Sequence, residues 1–62
     1  MSGWLIQTDR GIFFFEIMED DRDLGKFGLP LLYDNLGKIP IIYGITYISD
    51  LDEEFASRCI IL

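Results

Sequence analysis

The chain has 62 residues, 50% of them hydrophobic and 15% aromatic, with eleven acids, five bases, no histidine and one cysteine, for a net charge of −6. This composition excludes a disordered chain, an internal disulfide and a tetrahedral Cys/His zinc site. An acidic chain with few bases is also a poor binder of nucleic acid or of an anionic membrane, both of which require a basic face.

A chain of this length forms one domain, residues 1–62. It buries only about 60% of the surface that its unfolded form exposes, so the core alone supports little stability. Association with another chain is the remaining way to shelter apolar surface. Met1-Ser2-Gly3-Trp4 shows no basic stretch leading into an apolar one, and no apolar run approaches the ~20 residues of a membrane span. The expected location is the cytoplasm.

In chain order, Trp4-Leu5-Ile6-Gln7-Thr8 is aromatic and branched enough for a strand. Asp9-Arg10-Gly11 is a turn, with Gly11 free to take positive φ, and Ile12 to Met18 is the return strand of a hairpin. Residues 19–30 hold a charged run followed by Gly25, Gly28 and Pro30, and read as a long loop. Leu31 to Leu36 fits a short helix, with Pro30 at its first position and Gly37 as its stop. Ile41 to Ile48 is the clearest strand, and Gly44 in its middle suggests a bulge or bend. Ser49 or Asp50 can cap a C-terminal helix, with Asp50 and Glu53 at capping-box spacing and Leu51, Phe55, Cys59 and Leu62 near one face. Cys59 to Leu62 fits a short terminal strand instead. The expected fold is α+β: a small antiparallel sheet, made of the hairpin and a third strand, with a middle and a C-terminal helix.

The strands are apolar on both sides. Phe13, Phe15 and Ile17 alternate with Ile12, Phe14 and Met18; Ile41, Tyr43, Ile45 and Tyr47 alternate with Ile42, Gly44, Thr46 and Ile48. A sheet with one wet face alternates apolar with polar residues. Two short helices are expected to cover one face and leave the other bare, which leads to self-association with Phe14, Tyr43 and Tyr47 in the interface.

Catalytic chemistry is sparse. Without imidazole there is no usual triad, so the expectation is a non-enzyme with no cofactor and no metal. Glu19, Asp20, Asp21 and Asp23, and later Asp52, Glu53 and Glu54, sit among polar neighbours, the setting of solvated charge. They are expected to steer the chain toward a basic protein surface. Glu19, Asp21 and Asp23 have the spacing of a calcium loop, but Leu24 and Pro30 occupy the places of its essential glycine and glutamate. Gly25, Lys26, Phe27 and Gly28, with Tyr33 and Lys38, form an alternative site in which an oligomer sequesters a small anion such as a nucleotide. Cys59-Ile60-Ile61-Leu62 matches a prenylation signal if the tail is free, although the stretch before it is acidic rather than basic. The leading expectation is a small acidic inhibitor or interaction module, of the kind that phages and mobile elements direct against host proteins.

Overall fold

The computed structural model describes residues 1–17 and 28–62. β1 (Gly3–Thr8) and β2 (Gly11–Glu16) form the expected hairpin, in antiparallel register from Gly3 opposite Glu16 to Thr8 opposite Gly11. Asp9 and Arg10 make the turn. Gly11 takes φ 123°, a backbone state that side chains rarely adopt. The Thr8 hydroxyl fastens the turn, donating to the Gly11 carbonyl at 3.0 Å and accepting from the Arg10 amide at 3.0 Å.

α1 (Leu29–Leu36) starts just before Pro30 and ends at Gly37, whose φ of 72° and amide bond to the Tyr33 carbonyl form a left-handed cap. β3 (Ile42–Ile48) lies antiparallel on the other side of β1. Its register slips between Gln7 and Thr8, opposite Gly44 and Ile42, which is the bulge that Gly44 suggested. The slip corrects the face assignment. Ile42 turns to the side of Ile45 and Tyr47 instead of sharing a face with Gly44, Thr46 and Ile48, and it packs with Ile6, Phe13 and Leu32.

Of the two C-terminal alternatives, the structure takes the short helix followed by a terminal strand. α2 is a single turn, Glu53–Ala56, and its cap is Asp52 rather than Ser49 or Asp50; the Asp52 carboxylate accepts from the Glu54 amide at 3.1 Å. The chain then turns into β4 (Ile60–Ile61), parallel to β2. The sheet is therefore mixed, in the order β3-β1-β2-β4, rather than purely antiparallel. The physical cause is the open edge of β2, which branched Ile60 and Ile61 can pair with, whereas a longer helix would leave that edge bare.

The two helices lie on opposite faces of the sheet. On one, Leu32 of α1 is fully buried against Ile6 and Phe13, flanked by Leu29, Tyr33 and Leu36. On the other, Leu51 and Ala56 pack on Leu5 and Phe14. The expectation of one helix-covered and one bare face is thus corrected: each face receives its own short cover. Phe14 moves from the anticipated interface into the interior, with no exposed surface.

Candidate functional site

With both faces of the sheet covered, exposed apolar side chains remain in and just before β3, on the other edge strand β4 (Ile60 and Ile61, about half exposed) and singly at Met1, Leu31 and Phe55. Ile39 is 74% exposed, Ile41 62%, Tyr43 70% and Ile45 40%. β3 is an edge strand, and among the described residues no strand pairs with its outer side.

The direction of the backbone groups follows from the ladder. The Ile17 amide donates to the Ser2 carbonyl at 3.0 Å, which makes Ser2 and Ile17 a hydrogen-bonded pair. In an antiparallel ladder such pairs alternate, so Trp4, Ile6 and Thr8 also turn their N–H and C=O toward β2. Gly3, Leu5 and Gln7 turn theirs toward β3, where they meet Ile48, Thr46 and Gly44. The backbone groups of Ile45, and of Ile42 beyond the bulge, consequently point outward.

Asp9 anchors the start of this strand. Its amide donates to the Ile41 carbonyl at 3.1 Å, and its carboxylate accepts from the Ile41 amide at 3.0 Å. Both main-chain groups of Ile41 are thereby satisfied, and the open part of the edge begins at Ile42. At the far end, Tyr47 stacks edge-on against Trp4, with ring centroids 5.3 Å apart, and is half-buried. Of the three aromatic residues expected at an interface, Tyr43 is the one that stands exposed.

Natural edge strands usually carry charge, proline or a bulge against unwanted pairing. This one has a bulge and Pro40 before it, but residues 39–48 contain no charged side chain. Sequence reading singled out Tyr43 but missed Ile39, Ile41 and Ile45. The signal was that uncharged decapeptide in a chain with 26% charged residues. Nothing in the sequence pointed to Asp9 as the anchor.

The other anticipated residues are dispersed. Asp52, Glu53 and Glu54 are exposed around the start of α2; Asp52, Glu54, Phe55 and Arg58 line a shallow depression there. Glu19, Asp20, Asp21, Asp23, Gly25, Lys26 and Phe27 lie outside the described residues. Of the remaining anion-site candidates, Gly28 is buried before α1, Tyr33 on α1 is half-buried against the Ile6, Phe13 and Leu32 cluster, and Lys38 is exposed. Among the described residues no cluster of three or more acidic, cysteine or histidine side chains is placed to hold a metal, and no helix is long and apolar enough to cross a membrane.

Cys59 is half-buried, with its thiol donating to the Phe55 carbonyl at 3.5 Å. Desolvation holds its pKa above the ordinary thiol value. The residues after it are tied into the sheet: Ile60 and Ile61 pair with β2, and the Leu62 amide donates to the Phe14 carbonyl at 3.0 Å. In this arrangement the tail after Cys59 is held in the sheet rather than free.

Comparison with known proteins returns no match: no family model, no curated protein and no solved structure is significantly similar to this chain.

Proposed function

We propose that this chain is a non-enzymatic protein-interaction module whose contact element is the outer edge of β3. The observation that supports this reading is the coincidence of outward main-chain groups at Ile42 and Ile45 with the exposed side chains of Ile39, Ile41, Tyr43 and Ile45. An extended partner segment adds a strand to such an edge: main-chain bonds hold it, and alternate side chains set its identity. The acidic balance of the chain, including exposed Asp52, Glu53 and Glu54, disfavours nucleic acid as the occupant of this edge.

The test is co-purification from the native source with wild-type chain and with Tyr43→Lys. Lysine on an exposed edge blocks strand addition while leaving the core untouched. Loss of the bound protein from the variant is expected. Retention of the same protein by the variant would move the contact surface elsewhere, with the acidic face of α2 the next region to probe.

A further inference from the structure

We infer that the occupant of the β3 edge is a second copy of this chain, paired antiparallel about a two-fold axis near Gly44 and Ile45. The inference names the partner of the site proposed above and rests on that reading.

A two-fold interface must be self-complementary, because each patch meets itself. β3 satisfies this in three respects. Main-chain groups turned outward in one copy face outward groups in the other, so Ile45 meets its own counterpart or Ile42. The side chains brought together are uncharged along the whole of residues 39–48. The charges at the two ends are opposite in sign: Lys38 precedes the uncharged stretch, and Asp50 and Asp52 follow it.

An antiparallel arrangement reverses the second copy. Lys38 of one chain then falls opposite Asp52 of the other when Ile45 pairs with Ile45, and opposite Ser49, beside Asp50, when Ile45 pairs with Ile42. Lys38 and Asp50 are both exposed; Asp50 lies 3.8 Å from the Met1 ammonium, while among the described residues Lys38 has no ion-pair partner. The pairing joins two sheets of four strands into one continuous sheet and satisfies the outward main-chain groups that a single chain leaves at its edge.

Sedimentation velocity over a concentration series tests the inference, with intact chain and three variants. Wild type is expected to shift from 7.2 kDa toward twice that mass as concentration rises. Ile45→Pro removes an amide that points outward, a position where edge strands tolerate proline, and is expected to stay monomeric with its circular dichroism retained. Lys38→Glu sets like charges opposite each other at two symmetric places and is expected to raise the dimer dissociation constant roughly tenfold. Adding Asp50→Lys to Lys38→Glu is expected to recover most of that loss. A wild type that stays monomeric at the highest soluble concentration would overturn the inference. So would an Ile45→Pro chain that dimerises like wild type. If wild type is monomeric while Tyr43→Lys still loses a co-purifying protein, the interaction reading survives and the self-pairing alone falls.

Discussion

Leu32→Ala is the sharpest probe of how this small sheet is sheltered. Leu32 is fully buried between α1 and the strands, in contact with Ile6 and Phe13, whereas its neighbour Leu31 on the same helix is exposed. Removing a buried leucine side chain costs about 2–5 kcal/mol, the spread reflecting how far the site can collapse. At roughly 0.05–0.15 kcal/mol per residue, a domain of this size has only about 3–9 kcal/mol in all. Leu32→Ala should therefore remove at least about a fifth of the total and lower Tm by about 10–40 °C, at about 4–8 °C per kcal/mol. Leu31→Ala should cost less than about 1 kcal/mol. Leu51→Ala, the matching deletion under α2, should fall in the same range as Leu32→Ala. Urea titration followed by far-ultraviolet circular dichroism reads all three. Equal, small effects of Leu32→Ala and Leu31→Ala would mean that α1 does not cover its face, and the account of two covered faces would fail.

Gly3→Ala should destabilise by about 1–3 kcal/mol in the same titration, because a Cβ at Gly3 overlaps the Phe15 carbonyl oxygen and sits 2.9 Å from Glu16 Cα. Asp52→Ala removes the cap of a one-turn helix and should cost about 1 kcal/mol, with Asp52→Asn recovering most of it. Cys59 should react with iodoacetamide more slowly in the folded chain than in urea at the same pH, since burial disfavours the thiolate; equal rates would contradict the raised pKa. Tyr43→Lys should leave monomer stability within about 0.5 kcal/mol of wild type, because Tyr43 is 70% exposed.

The hairpin, the middle helix and the third strand were legible because their signals are local. Gly11 and Gly37 each occupy a backbone state that glycine favours, and Gly44 faces the slip in register. The C-terminal strand was legible only as an alternative to a longer helix, because its partner residues in β2 lie 47 positions earlier in the chain (Ile60 opposite Phe13). Local patterning at Leu51, Phe55 and Cys59 suited a longer helix, and the vacancy beside β2 outweighed it. Counting apolar residues led to the expectation of one bare face that self-association would cover. Each face instead receives its own helix, since no sequence pattern tells on which side of a sheet each helix lands. The Phe14 assignment failed for the same reason. Of the candidate site, Tyr43 was visible in the sequence. The edge position of β3 was not, since strand order is a property of the whole topology.

Amide hydrogen exchange at single-residue resolution, measured at low and high protein concentration, tests the role of β3 most directly. At low concentration the Thr46 amide, turned toward β1, should be protected, while the Ile45 amide, turned outward, should exchange at close to the open-chain rate. At high concentration Ile45 should gain protection and Thr46 should change little. An Ile45 amide already protected in dilute solution, or one that stays unprotected at every concentration, would contradict the assignment of this edge as the contact element filled by a second chain.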